Sequence, residues 1–373
     1  MGFRTKSSGG NIDSRGWAAG LRLAVAAAVM LTAAGILSGC GSFFSSSSSN
    51  GTHLAYVAGG TTMVSAYRID NVSGNVTSIV TTPYVAGNSP SSVVVHPSNQ
   101  FLYVANAADS TISLFSINST SGALTEVLPR TPTDLSPGYM TMDSAGSFLF
   151  VANQSSDDVS MFQIGTAGAL TLVSSVSVGA SPAGLVLSSS GFLYVPLPSF
   201  STIAVLSVSS GSLQFVGSYL VNNGVGGIAV DPGAKVLYAT NPATDTVSGF
   251  AIHPDGSITA VLGLTVATGT TPAAVAVNPT GSALYVANAG ASNVSQFTID
   301  ATTGVLTAFT TTPTVTAGTN PSFFVTDPGG KFLFLGNTGS KSITEYSFNP
   351  LASLNNINTI SVGFVPRSFA VTQ

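Results

Sequence analysis

The aromatic of one short phrase returns seven times along the chain, as Tyr56, Tyr103, Phe150, Tyr194, Tyr238, Tyr285 and Phe334, at intervals of 47, 47, 44, 44, 47 and 49 residues. Units of this length that alternate apolar runs with turn residues predict a propeller, because one small sheet cannot bury both faces unless neighbouring sheets stack on it. The unit around Tyr285 reads as four antiparallel strands, Ala273 to Val277, Ala283 to Ala287, Val294 to Ile299 and Val305 to Phe309. Asp143-Ser-Ala-Gly146, Asp231-Pro-Gly-Ala234, Asn278-Pro-Thr-Gly281 and Asp327-Pro-Gly-Gly330 fill the same gap between first and second strands. In such turns an Asx side chain bonds ahead and Gly supplies positive φ.

The chain starts on a second strand (Leu54 to Ala58) and finishes on a first strand (Ser368 to Val371), so the last strand is expected to complete the blade begun at the N-terminus. Closure of that kind removes free sheet edges. The fold class expected is all-β: a seven-bladed propeller of four-stranded antiparallel blades over residues 53–373.

Before the repeats, basic residues lead into an apolar run from Leu23 to Leu37 that ends at Leu37-Ser38-Gly39-Cys40. The run is short for a membrane span and suits a secretory h-region. The ending resembles the lipobox of bacterial lipoproteins, which implies residues 1–39 as signal peptide, lipidation of Cys40, and a Ser-rich tether over residues 40–52. The location expected is the bacterial cell envelope, extracytoplasmic, with the membrane contacted only through lipid on Cys40. A single cysteine excludes an intrachain disulfide.

Charged residues are only 6% of the chain. With the leader set aside, 6 basic residues face 13 acidic ones, a balance that repels phosphate backbones and disfavours nucleic acid, so no nucleic-acid partner is expected.

The phrases Leu102-Tyr-Val-Ala-Asn106 and Leu284-Tyr-Val-Ala-Asn288, followed by Ile112-Ser-Leu-Phe115 or Val294-Ser-Gln-Phe297 and then Thr303-Gly-Val-Leu306, resemble the seven-bladed lactonase-like propellers. That group includes propeller-type 6-phosphogluconolactonase, carboxymuconate cycloisomerase and extracellular Tyr-Val-Thr-Asn repeat proteins. For the phosphosugar lactonases the resemblance implies a Gly-Pro-Arg-His phrase at the start of a first strand, its cation and imidazole facing substrate. Here the counterpart is Gly224-Val225-Gly226-Gly227, with glycine at both positions, which argues against a phosphosugar substrate. Arg367 keeps a cation at such a place, followed by Ser368.

Loops from fourth to first and from second to third strands share one face, and the charged residues expected there are Asp109, Arg130, Asp134, Asp157, Asp158, Asp245, Lys341 and Arg367. Asp157-Asp158 reads as a solvated loop rather than a hard-cation site. Arg130 and Arg367 suit anion clamps, with pairing to Asp134 or another acid as the structural alternative. His53, His96 and His253 fall in turns away from this face. Glu126 and Glu345 are expected on outer strands of different blades.

Asn106, Asn153, Asn241, Asn288 and Asn337 each end a second strand and read as architectural. No His-Glu-x-x-His or Gly-x-Ser-x-Gly phrase occurs, and no metal or cofactor is expected.

The reading placed first is a monomeric, lipid-anchored propeller that binds a protein, glycan or small molecule on its loop face without catalysis. The alternative is a lactonase or lactonising cycloisomerase acting on a sugar or carboxylated lactone, with Arg367 and Arg130 as clamps and Asp109 or Asp157 near the reacting centre. A third reading, adhesion, predicts an exposed apolar patch on one rim.

Overall fold

The structure is a computed structural model that describes residues 1–2, 51–79, 83–209, 211–221 and 224–373. The chain separates into Met1–Gly39 and Cys40–Gln373. Only Met1 and Gly2 of the first unit are described, so the leader, Cys40 and most of the tether lie outside the described residues.

Seven antiparallel sheets follow, and their strands are counted outward from the central channel. Blade 2 contains Pro90–Val95, Phe101–Asn106, Thr111–Ile117 and Leu124–Pro132, in that order across the sheet. Blades 3 to 7 repeat the pattern, beginning with Pro137–Met142, Val186–Leu187, Ile228–Val230, Pro272–Val277 and Pro321–Thr326. In blade 1 the second strand is Thr52–Gly59 and the first is the C-terminal Pro366–Val371, paired with Tyr56 opposite Ala370 and Val57 opposite Phe369. First strands of neighbouring blades touch all the way round, and the circuit returns to its start after seven.

Burial explains why the repeat phrase has its form. In Leu102-Tyr-Val-Ala-Asn106 alternate side chains face opposite neighbouring blades, so both parities are apolar and every one of these residues is buried. Leu102 and Val104 join the core shared with blade 1, whereas Tyr103 and Ala105 join the core shared with blade 3. A strand covered on both faces reads as a continuous apolar run instead of an alternating one.

The recurring tyrosine also fastens each blade to the next. The hydroxyl of Tyr56 donates to Gly122 O at 3.1 Å, Tyr103 to Gly168 O at 2.8 Å, Tyr194 to Gly256 O at 3.1 Å and Tyr238 to Gly304 O at 2.9 Å; Tyr285 donates to Ala352 O. Each acceptor lies in the turn between third and fourth strands of the following blade. Glycine suits that turn because φ is positive, +72° at Gly304, and because Val236 from the preceding blade leaves no room for a Cβ there.

The Asx turns form as the sequence predicts. Asp231 Oδ1 accepts from the N–H groups of Lys235 and Val236 at 2.7 and 2.6 Å, and Asn278 and Asp327 do the same for their hairpins. One placement differs from the sequence reading: Glu345 lies on the third strand of blade 7, Ser342–Phe348, fully buried. Glu126 is on an outer strand, as expected.

Candidate functional site

The face that gathers the second-to-third and fourth-to-first loops opens onto the mouth of the channel. Six first strands begin with a proline, Pro90, Pro137, Pro182, Pro272, Pro321 and Pro366, or lie just after one; the fifth blade has Val225 instead. Proline suits a strand's first position, where no ladder hydrogen bond is lost. The residue after it forms a ring of small side chains, Ser91, Gly138, Ala183, Gly226, Ala273 and Ser322, interrupted by one long cation, Arg367.

Hydrogen bonds between blades hold this ring. Ser368 Oγ accepts from Val93 N at 3.1 Å, and Ser92 Oγ, one blade on, accepts from Met140 N at 3.0 Å. Tyr139 occupies the corresponding position in blade 3 and remains 39% exposed. Loss of hydration from crowding raises its phenol pKa, and the Arg367 guanidinium pulls it part of the way back. The two side chains therefore lie within electrostatic reach, on the first strands of blades 1 and 3. Arg367 is exposed and forms no ion pair among the described residues.

The other charged residues proposed from sequence are tied to structure. Asp109 accepts from the backbone N–H of Asn88 at 2.7 Å and from its side-chain amide at 2.8 Å, bonds that hold its carboxyl below the usual range. Arg130 lies 3.6 Å from Asp109, but its shorter contact is Nε to Glu126 Oε1 at 2.7 Å. That guanidinium is satisfied by Glu126 and Asp109, not by Asp134. Asp134 instead accepts from Ser160 Oγ at 3.0 Å and Ser175 Oγ at 3.3 Å.

Asp157, Asp245 and Lys341 share one backbone role. Each takes left-handed φ, +57°, +53° and +51°, just before or at the start of a third strand, where Ser110, Ser201 and Ser292 take it in blades 2, 4 and 6. Asp and Asn tolerate that conformation better than most side chains. Asp245 additionally accepts from Thr271 N at 2.8 Å. Asp157, Asp245 and Lys341 thus sit over separate blades, and no group of three or more His, Cys, Asp or Glu poised for a metal occurs among the described residues.

Asp158 follows Asp157 but turns inward. It accepts from Asn153 Nδ2 at 2.7 Å, in the place where Thr111, Thr246, Asn293 and Ser342 accept from the equivalent asparagines. Burial, more than the nearby Asp134 charge, raises its pKa. The five asparagines are architectural throughout. Asn106 joins Gly87 N, Thr111 and Ser113, and Asn337 joins Gly318 N, Ser342 and Thr344.

All three histidines lie away from the mouth. His96 Nε2 contacts Gly146 O at 3.0 Å in a 290 Å³ groove between the hairpins of blades 2 and 3, on the opposite face. Gly226 and Gly227 are packed closely: a Cβ on Gly226 would lie 2.7 Å from Thr240 Oγ1, and one on Gly227 would lie 2.8 Å from Ala273 O. Side chains such as Arg and His at these two positions would require the wall to shift. Sequence reasoning missed Tyr139, whose signal was an aromatic two places after the strand-opening proline, where blades 1 and 2 carry Ser368 and Ser92 and blade 7 carries Phe323.

Solved structures with the same fold span nearly their whole length on this chain. A Bacteroides fragilis protein provisionally named a 6-phosphogluconolactonase superposes with a TM-score of 0.75 at 20% identity, covering 88% of this chain and 99% of its own. The periplasmic gluconolactonase of Pseudomonas aeruginosa gives 0.73 at 19%, covering 87% and 99%. A Lactobacillus plantarum protein gives 0.74 at 17%, covering 87% and 100%. No curated protein matches the chain by sequence. The family described as lactonase, 7-bladed beta-propeller, matches residues 44–183 and 199–320, more than half of the chain. The chain belongs to the seven-bladed β-propeller lactonase family.

Proposed function

We propose that the protein is a lactonase-type carboxylic ester hydrolase acting on a sugar lactone at the channel mouth. The observation that carries this reading is a single unpaired guanidinium, Arg367, in a ring of small residues, in a chain that belongs to a lactonase family. Two neighbours in structure bear gluconolactonase or 6-phosphogluconolactonase names, and the likeness to them supports the same direction.

Hydrolysis of a lactone asks little of a protein. Water adds to the carbonyl carbon, a tetrahedral oxyanion forms, the ring C–O bond breaks, and a proton passes to the departing oxygen to give a hydroxy acid. In this reading Arg367 stabilises that oxyanion, or holds the carboxylate of a carboxylated lactone, through charge-assisted hydrogen bonds. Tyr139 offers a ring face and a hydroxyl beside it. Asp109 is a poor general base because its lone pairs are engaged and its pKa is depressed. Asp157 stands freer, on its turn.

The test is hydrolysis of D-glucono-1,5-lactone by residues 53–373, followed by proton release, with Arg367→Ala beside the wild type. A loss of roughly 10²-fold or more in kcat/KM, with unchanged thermal stability, is expected for removal of an oxyanion partner. Equal turnover by the two proteins would refute the assignment of Arg367.

A second reading, binding without turnover, is favoured by one observation: Asp109, Arg130, Asp134 and Asp245 all have structural partners, so few groups remain for proton transfer. Under that reading Arg367→Ala weakens an anionic ligand and no lactone is hydrolysed. In either case the lipobox at Cys40 supports an extracytoplasmic, lipid-anchored protein in the bacterial envelope.

A further inference from the structure

Seven residues pair across the ladder with the repeat aromatic, and six of them are Ala66, Leu114, Met161, Val205, Gly249 and Gln296. The seventh is Glu345, opposite Phe334, in the seam between blades 7 and 1 where the ring closes. It is fully buried, and neither carboxyl oxygen has a hydrogen-bond partner. Around it lie Ile343, Val76, Ile69, Phe332 and Phe369, an apolar cluster.

Gln296 shows what this position does when it is neutral. Its Oε1 accepts from Leu354 N, the first residue of the next blade's fourth strand, at 2.7 Å, and its Nε2 donates to Thr312 O at 2.8 Å. In the closing seam the residue corresponding to Leu354 is Val76. Its N–H draws on Glu345 electrostatically without meeting hydrogen-bond geometry. Phe334 is also one of two repeat aromatics without a hydroxyl, so the tyrosine fastening found in five other seams is missing here.

We propose that the seam between the seventh and first blades is a pH-sensitive joint, closed while Glu345 is a neutral carboxylic acid and loosened when it ionises. A neutral carboxyl tolerates an apolar seam far better than an unpaired carboxylate does. Burial accordingly pushes this carboxyl up to about 7 from its ordinary value of 4.5.

Among the described residues no charged side chain in the seam compensates it. From blade 1 the titratable member of the apolar cluster is Tyr67, whose phenol pKa burial raises; from blade 7 the next residue, Tyr346, belongs to the core shared with blade 6. At the far end of the seam His53, Asp327 and Lys331 interact with one another. Burial lowers the His53 pKa and raises that of Asp327. The strand most directly exposed to loosening is Pro366–Val371, since Phe369 packs on Phe334 with ring centroids 5.2 Å apart. That strand carries Arg367.

The sign follows from proton binding. Between the unfolded value of 4.5 and the folded value of about 7 the native state holds one proton more, so stability falls as pH rises across that window and levels off above it. Urea unfolding of residues 53–373 from pH 4.5 to 8.5 should show the folding constant dropping by roughly two orders of magnitude. Glu345→Gln, which installs the side chain type of Gln296, should remove most of that fall. An infrared band of a protonated carboxyl should be present at pH 6 and absent in the variant. Superimposable pH profiles for the two proteins, or no such band in the wild type, would overturn the proposal. Should Glu345→Gln fail to fold, Glu345→Leu, matching Leu114 of blade 2, tests the same expectation.

Discussion

Removing one hydroxyl, by Tyr238→Phe, tests the fastening between blades 5 and 6. The phenol donates to Gly304 O at 2.9 Å, both residues are buried, and no other donor reaches that carbonyl among the described residues. The net value of a neutral hydrogen bond is about 0.5–1.5 kcal/mol, and an acceptor left buried and unmet adds to the loss, so about 1–2 kcal/mol is expected. The ring itself stays, so no cavity contribution enters. In a domain of this size the corresponding drop in Tm is roughly 1.5–3 °C. Urea unfolding gives the free energy, and amide exchange localises it: because blades stack mainly on neighbours, protection should fall at the seam of blades 5 and 6 before blades 2 and 3. Tyr56→Phe and Tyr103→Phe should behave alike in their own seams. Stability within 0.3 kcal/mol of wild type in all three variants would refute the view that the tyrosines fasten the blades.

Gly336→Ala should destabilise by roughly 1–3 kcal/mol, because a Cβ there would lie 2.0 Å from Cζ of Phe323; adding Phe323→Ala should restore part of the loss in a thermal melt. Below about pH 4 stability should fall for a different reason from the Glu345 effect. Asp70, Asp255 and Asp300 have pKa values lowered chiefly by hydrogen bonds from their own turns, so their contribution is present above the ordinary 3.8 and lost as pH drops through the folded values. An acid titration of Asp300→Asn should show a shallower loss than wild type. Arg130→Ala should leave lactone turnover within about twofold if Arg367 alone meets the substrate, as a parallel kinetic assay would show.

The sequence was most informative about what is repeated. Spacing of the aromatics predicts seven blades, the Asx-Pro-Gly phrases predict hairpins that the carboxylate-to-amide bonds of Asp231 and Asp327 confirm, and the strand order at the two ends predicts that Ser368 to Val371 completes the blade of Leu54 to Ala58, as it does. The turns follow from local chemistry within a few residues, and the blade count and closure follow from recurrence along the chain. What escaped reading depends on neighbours in space: Arg130 belongs to Glu126 and Asp109 rather than Asp134, and Glu345 lies inside a seam rather than on a rim. The tyrosine-to-turn bonds join residues 62 to 67 positions apart, a distance no strand or turn rule covers.

Repetition itself separates architecture from function in such a ring. A residue type that recurs in equivalent places, such as the five asparagines or the left-handed residue near the start of the third strands, is explained once by a job every blade needs done. Asp157, Asp245 and Lys341 fall under that explanation, so their charge is incidental to the backbone role. Departures from the repeat have no such account. Arg367 stands where six blades carry Ser, Gly or Ala, and Glu345 stands where six carry no charge. An exposed guanidinium without a carboxylate gives the fold nothing, and a buried carboxyl without a donor costs it stability. Selection for folding alone would replace both with their neighbours' residues. The channel mouth and the closing seam are therefore where substitutions should change behaviour without changing the fold.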